Sequence, residues 1–202
     1  MPHRRIVLAS ASPRRLELLR QMGADPEVRP ASVVERALPG ETPRAQALRL
    51  AVEKGRAVSA PMAHAEPPAV VIAADTIVVV DRAPLGKPAN PEEARSMLRR
   101  LSGRDHEVVT GMWVGRTDDE REVSLVESSR VRFHLCPEPV VRWYVSTGEP
   151  MDKAGAYAVQ GLGGLLVAGV EGSWTNVVGL PVERLAPALA RIGLGWPLAP
   201  QP

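Results

Sequence analysis

Apolar residues along this chain fall in short runs separated by polar and Pro/Gly-rich punctuation, and the spacing within each run predicts the element it forms. Arg5 to Ala9 reads as a short apolar strand, and Ser10, Ala11 and Ser12 turn out of it. Ser12 and Pro13 then supply an N-cap and a first helical residue, Leu16, Leu18, Leu19 and Met22 give the helix an apolar side, and Gly23 closes it. Thr42-Pro43 repeats the signal before a helix of about 15 residues to near Ser59, with Ala47, Leu48, Leu50, Ala51 and Val58 available for burial. Lys54 therefore falls mid-helix. Pro61 to Pro68 reads as a Pro/Ala loop.

From Ala69 to Val80 ten of twelve positions are apolar, so this run is expected to be a buried central strand, or two strands joined at Asp75-Thr76. Asn90-Pro91-Glu92-Glu93 caps the next helix, with Glu93 at the capping-box position, and Ser102-Gly103 ends it near Leu101. Strands from about Glu107 to Gly115 and Val123 to Leu135 flank the polar turn at Asp118-Asp119-Glu120. Pro137 opens a helix carrying Val140, Val141, Trp143 and Tyr144, which stops by Gly148. After a Gly-rich segment, Leu165 to Val170 reads as a strand, Pro181 starts a last helix to about Ile192, and the tail from Trp196 is expected to fray. Without internal repeats, this order predicts one α/β domain over residues 1–202 with a mixed central sheet.

Composition narrows the function. A 202-residue chain with 45% hydrophobic residues can bury roughly 70% of the surface its unfolded form exposes, so it needs no disulfide or metal staple. The single cysteine, Cys136, excludes an internal disulfide and points to the cytosol. A formal charge of +2 and only seven aromatic residues argue against nucleic-acid binding, and no apolar run reaches the roughly 20 residues a membrane span requires. The 25 basic residues divide into 22 Arg and 3 Lys, which singles out Lys54, Lys87 and Lys153 as places where a compact ammonium is needed and a planar guanidinium is not.

Four residues, Ser10, Ser12, Arg14 and Arg15, lie where a strand gives way to a helix, so hydroxyls, guanidiniums and helix N–H groups converge on a spot that attracts phosphate. Ser-Pro also opens many helices that bind nothing. Asp75 is the sharpest single residue, because nothing structural asks for a carboxylate inside an apolar strand; it could ligate Mg²⁺ or take a proton from water, with the Thr76 hydroxyl beside it. The plain alternative is a turn residue at a strand end. Gly86-Lys87-Pro88 is no Walker A loop, although Lys87 could still clamp a phosphate. The stretch from Asp152 to Gly164 lets backbone approach a ligand, with Gln160 able to donate and accept at a base edge, or it is a flexible connector. His3, His64, His106 and His134 lack metal-ligand spacing and, like Cys136, read as structural or surface residues.

Taken together, Leu8-Ala9-Ser10-Ala11-Ser12-Pro13-Arg14-Arg15, Ala74-Asp75-Thr76, Leu85-Gly86-Lys87-Pro88, Asp152-Lys153-Ala154-Gly155-Ala156-Tyr157 and Val178-Gly179-Leu180-Pro181 resemble the Maf family of nucleoside triphosphate pyrophosphatases, in order from residue 6 to about 190. The resemblance implies an elongated α/β fold like that of the inosine triphosphate pyrophosphatases, with a mixed sheet, flanking helices and two lobes around a central cleft, in a chain that is often a homodimer. It also implies Mg²⁺- or Mn²⁺-dependent hydrolysis of a nucleoside triphosphate to the monophosphate and pyrophosphate. By motif, Asp75 resembles the general base, and Ser10, Arg15, Glu35, Lys54 and Lys87 resemble the phosphate- and metal-handling set, with Glu35 and Asp75 toward the metal. Arg14, Thr76 and Gln160 match the branch acting on dTTP and UTP rather than the 7-methyl-GTP branch. A nucleotide-binding regulator of septum formation is the reading from a different class, and the intact Asp75 and lysines weigh against it.

Overall fold

The computed structural model describes residues 5–63 and 67–196, so His3, His64 and the expected frayed tail beyond Trp196 lie outside the described residues. A seven-stranded mixed sheet runs in the order β2-β1-β3-β5-β6-β7, with β4 paired to β3. The strands are β1 (Arg5–Leu8), β2 (Glu27–Val28), β3 (Ala69–Val80), β4 (Ala83–Leu85), β5 (Asp105–Arg116), β6 (Glu122–Phe133) and β7 (Val167–Glu171). The helices are α1 (Pro13–Gln21), α2 (Pro43–Ser59), α3 (Pro91–Leu101), α4 (Glu138–Ser146), α5 (Trp174–Val178) and α6 (Leu185–Arg191). The α/β class with a mixed sheet and flanking helices is the one the sequence pattern predicts.

The described residues form two compact units, a first of 5–63, 67–75, 110–127 and 179–196 and a second of 76–109 and 128–178, so β3, β5 and β6 each contribute to both. In the first unit β1 pairs in parallel with β3, Leu8 opposite Ile72. Its core gathers Val7, Ala9, Ala51, Val58, Met62, Val71, Ala73 and Trp113. Helix α2 lies very close on this sheet because two glycines remove the obstacles: a Cβ on Gly111 would sit 2.2 Å from the Ala47 carbonyl oxygen, and one on Gly55 would sit 2.1 Å from the Trp113 ring. Thr42 accepts from Ala45 N through its hydroxyl and so fixes where α2 begins.

In the second unit the core gathers Val78, Val80, Leu85, Leu98, Leu101, Phe133, Val141, Tyr144 and Tyr157. His106, Phe133 and Tyr157 pack edge to face with centroids 4.7–5.3 Å apart, and His106 Nε2 lies 2.7 Å from the Tyr157 hydroxyl. Burial pushes the His106 ring down to about 4 and the Tyr157 phenol above its ordinary range, so both are neutral at pH 7. Of the two readings the sequence leaves for its histidines, structural or surface, His106 takes the structural one.

Several boundaries differ from the sequence expectations. β3 is one continuous strand, not two, because it is buried along nearly its whole length and Asp75 does not interrupt it. Leu165 and Leu166 belong to a 3-10 turn over Gly161–Leu166, so β7 starts later, at Val167. Pro181 caps a separate 3-10 turn, Val182–Arg184, ahead of α6. β6 stops at Phe133, and Leu135 is 80% exposed. Glu93 accepts from Ala89 N at 2.7 Å, one residue before the Asn90 cap, while Asn90 accepts from Glu93 N at 2.9 Å. The short β2, β4 and α5 carry too few residues to show a period.

Candidate active site

Register builds the site. β1 ends at Leu8 opposite Ile72, and Ala9 N donates to the Ile72 carbonyl at 2.8 Å. Ser10 and Asp75 therefore both lie just past the C-terminal end of this parallel pair, where the chain leaves β1 while β3 runs on. Asp75 is the seventh residue of β3 and 7% exposed, so the strand-end turn reading fails. A carboxylate buried there requires a partner, and α2 supplies it: Lys54 Nζ donates to Asp75 Oδ1 at 2.6 Å. The same ammonium meets Glu35 Oε1 at 2.5 Å. One cation thus joins two carboxylates, with Lys54 and Asp75 side chains 9% exposed and Glu35 51% exposed.

Arg15, on the first turn of α1, turns inward. Its Nε donates to the Gly179 carbonyl at 2.8 Å and its Nη1 to Ser10 Oγ at 2.9 Å. Burial lowers the Arg15 pKa, while the Asp75 and Glu35 charges oppose that shift and the Arg14 charge reinforces it. An arginine remains protonated under any such load. Ser10 Oγ also accepts from Ser12 N at 3.2 Å. With both acceptor positions of its hydroxyl in use, what Ser10 can offer an incoming oxyanion is its own proton. Ser12 is the N-cap of α1, yet its side chain makes no capping hydrogen bond. Arg14 is half-buried beside it.

The structure therefore brings Ser10, Arg15, Glu35, Lys54 and Asp75 into one connected set within the first unit, with Ser12 and Arg14 on the adjoining helix start. Thr76, Lys87 and Gln160 belong to the second unit. There Thr76 follows Asp75 in β3 and is half-buried, Lys87 is exposed just after β4, and Gln160 is half-buried at the N-cap of the 161–166 turn. Gly155 N donates to the Gly86 carbonyl at 3.0 Å, which ties the Lys87 loop to the Asp152–Tyr157 motif. Lys153 serves the local backbone, since its Nζ donates to the Glu149 carbonyl at 2.7 Å and to Asp152 Oδ1 at 2.5 Å.

Sequence reasoning missed the support of Glu35. Residues 29–42 contain no helix or strand, and Arg49 of α2 holds this segment in place. Its Nη2 donates to the Arg36 carbonyl at 2.9 Å, and its guanidinium grips Glu41 through two bonds of 2.7 Å, Nε to Oε1 and Nη2 to Oε2. The Arg49 hydrogen bonds hold the Glu41 carboxyl down to about 2. Nothing in the local sequence marks Arg49 among 22 arginines; only the fold shows that it sits five residues before Lys54 on the same helix.

Among the described residues no group of three or more His, Cys, Asp or Glu side chains could hold a metal ion. Two carboxylates around one ammonium still fit a hard divalent cation, because Mg²⁺ is commonly held by one or two protein carboxylates and completes its shell with substrate phosphates and water. Glu35 and Asp75 would be its protein ligands.

Comparison with known proteins gives the family. The family described as Maf-like protein matches residues 5–192. Similar chains include proteins named dTTP/UTP pyrophosphatase from Anaeromyxobacter dehalogenans strain 2CP-C, 52% identical over 195 residues and 96% of each chain. Another from Symbiobacterium thermophilum is 48% identical, covering 93% of this chain and 94% of that one. A third, from Syntrophus aciditrophicus, is 46% identical over 94% of this chain and 90% of its own. With the motif residues of β1, α1, α2 and β3 assembled around Asp75 and the family match running almost end to end, the chain belongs to the Maf family.

Proposed function

We propose that this protein hydrolyses dTTP and UTP, and modified pyrimidine nucleotides of the same shape, to the monophosphate and pyrophosphate, with a divalent cation, Mg²⁺ or Mn²⁺, as cofactor. The observation that carries the reading is the Lys54 ammonium bonded at once to Asp75 and Glu35, next to the Arg15–Ser10 pair. A triphosphate brings about four negative charges, and a divalent cation held by Glu35 and Asp75 would neutralise part of that charge and lower the pKa of bound water.

The chain's own residues supply the rest. Ser10 donates a hydrogen bond through its hydroxyl to a phosphate oxygen, and Arg14 adds positive charge to the polyphosphate; the same role for Lys87 rests on the family resemblance. Arg15, already bonded to the Gly179 carbonyl and Ser10, holds that hydroxyl in place. The Asp75 carboxylate, kept in a fixed orientation by Lys54 Nζ, takes the proton of the water that attacks the α-phosphorus. Pyrophosphate leaves with its charge spread over the surrounding cations. The choice of a pyrimidine rests on Arg14, Thr76 and Gln160, which match the dTTP/UTP branch, and on the names of the relatives. The same proposal includes a cytosolic location, supported by the single cysteine, and a homodimer, supported by the family resemblance; among the described residues no helix is long and apolar enough to cross a membrane.

The test is a panel of dTTP, UTP, 7-methyl-GTP and purine triphosphates with each metal, reading pyrophosphate and orthophosphate separately. Metal-dependent pyrophosphate release that is fastest on dTTP and UTP is the expected result. Orthophosphate as the product, or 7-methyl-GTP as the fastest substrate, overturns it.

A further inference from the structure

Gln160 sits in a segment, residues 158–164, that carries three glycines and no regular strand or α-helix, and a specificity residue on a loose loop would discriminate poorly. The segment is not loose. Glu149, in the Gly148-Glu149-Pro150 turn after α4, collects it from below: its Oε1 accepts from Gly163 N at 2.9 Å and its Oε2 from Leu162 N at 3.1 Å. Oε1 also accepts from the Tyr144 hydroxyl at 2.9 Å, and that hydroxyl accepts from Ala158 N at 3.2 Å. The backbone is therefore pinned on both sides of Gln160, two residues before it and two and three after it. Tyr144 is fully buried in the core of the second unit, so the far end of this network is anchored among packed side chains.

The glycines follow from the same geometry. Gly161 has φ +67, and a Cβ there would sit 2.9 Å from Glu149 Oε2; a Cβ on Gly163 would meet the Ala158 carbonyl at 2.3 Å and the Tyr144 hydroxyl at 2.5 Å. The Gly-rich composition is thus the imprint of a carboxylate and a phenol packed beneath the backbone. Burial would raise the Glu149 carboxyl, but hydrogen bonds from Gly163, Tyr144 and Leu162 and the Lys153 charge outweigh it and bring the group below its usual range.

We propose that Glu149 is a positioning residue for nucleobase selection, holding the 158–163 backbone so that Gln160 presents a fixed amide to the base. The proposal rests on the reading that Gln160 contacts the base, and it adds the residue that makes this contact selective. Glu149→Ala removes all three acceptor bonds. Glu149→Gln keeps the volume and the acceptors of one oxygen, but its NH₂ confronts a backbone N–H at the other, so its effect is intermediate.

The experiment measures kcat and KM for UTP, dTTP and 7-methyl-GTP with wild type, Glu149→Gln, Glu149→Ala, Gln160→Ala and the double variant Glu149→Ala/Gln160→Ala, alongside hydrogen exchange of the Leu162 and Gly163 amides. The expected result is a rise in KM for UTP and dTTP of about tenfold in Glu149→Ala, the size of one lost hydrogen bond, with kcat changed less than about threefold. Glu149→Gln falls between, the two amides exchange faster, and the double variant is no worse than Gln160→Ala alone. A uniform loss of kcat on all substrates at unchanged KM, or independent effects that multiply in the double variant, overturns the proposal. If Gln160→Ala shifts selectivity and neither Glu149 variant does, Glu149 fails while the Gln160 reading stands; if Gln160→Ala shifts nothing, that reading fails and takes the proposal with it. Should Glu149→Ala not fold, Glu149→Gln carries the same test.

Discussion

Replacing Lys54 by Met should cost more stability than replacing Asp75 by Asn, even though both belong to one ion pair. The reason is who remains paired. In Lys54→Met a carboxylate whose side chain is 9% exposed loses the ammonium bonded to it at 2.6 Å. Breaking a buried pair from one side costs about 3–5 kcal/mol, and the nearby Arg15 charge that Asp75 already feels places this case near the lower figure, about 3 kcal/mol. In Asp75→Asn the ammonium keeps Glu35 at 2.5 Å, and the new amide oxygen can still accept from Nζ, so the loss is close to one ordinary hydrogen bond, about 1 kcal/mol. The double variant leaves no buried carboxylate without its ammonium and should cost about 2 kcal/mol, less than the two singles combined, a coupling of about 2 kcal/mol. Urea unfolding at pH 7 reads these differences, and pyrophosphate release reads function. Turnover in Asp75→Asn should fall about 100-fold or more while the fold persists, the range expected for loss of a general base. Additive stabilities in the cycle, or an Asp75→Asn variant less stable than Lys54→Met, would refute the reasoning.

Two pH dependences follow from groups outside the site. His106 is held neutral with its pKa at about 4 against an ordinary 6.5, so the unfolded chain binds the extra proton first as pH falls; about 3 kcal/mol of stability should drain away between pH 6.5 and 4, and His106→Gln should flatten the urea midpoint over that window. Glu41 behaves as a depressed carboxylate: the stability it contributes through Arg49 is present above pH 4.5 and is lost as pH falls toward 2, so Glu41→Gln should start less stable at pH 7 and show a shallower acid limb, measured by thermal unfolding across that range.

Two of the site's inner residues are legible in the sequence because each departs from what surrounds it or from the chain's composition. Asp75 breaks an apolar strand, and Lys54 is one of three lysines against 22 arginines. The starts of α1, α2 and α3 are legible for the same kind of reason, since Ser12-Pro13, Thr42-Pro43 and Asn90-Pro91 are cap signals that act within a few residues. What the sequence hides is everything set by distant contact. Arg49 holding the Glu35 segment, the Gly179 carbonyl holding Arg15, and Glu149 beneath the Gly-rich stretch are ordinary residues whose partners lie 13, 164 and 14 positions away. The 152–164 segment reads equally as a connector or a ligand loop until Glu149 is seen to pin it. Conversely, Pro181 is a true start signal but for a 3-10 turn, because three helical residues and a longer helix share the same opening chemistry.

Water attacking the α-phosphorus under the Asp75 carboxylate is the central claim, and hydrolysis of UTP in ¹⁸O-labelled water tests it most directly. Mass spectrometry of the products should find one labelled oxygen in the uridine monophosphate and none in the pyrophosphate, at a rate that collapses in Asp75→Asn. Label in pyrophosphate or orthophosphate, or undiminished labelling of the monophosphate by Asp75→Asn, would contradict it.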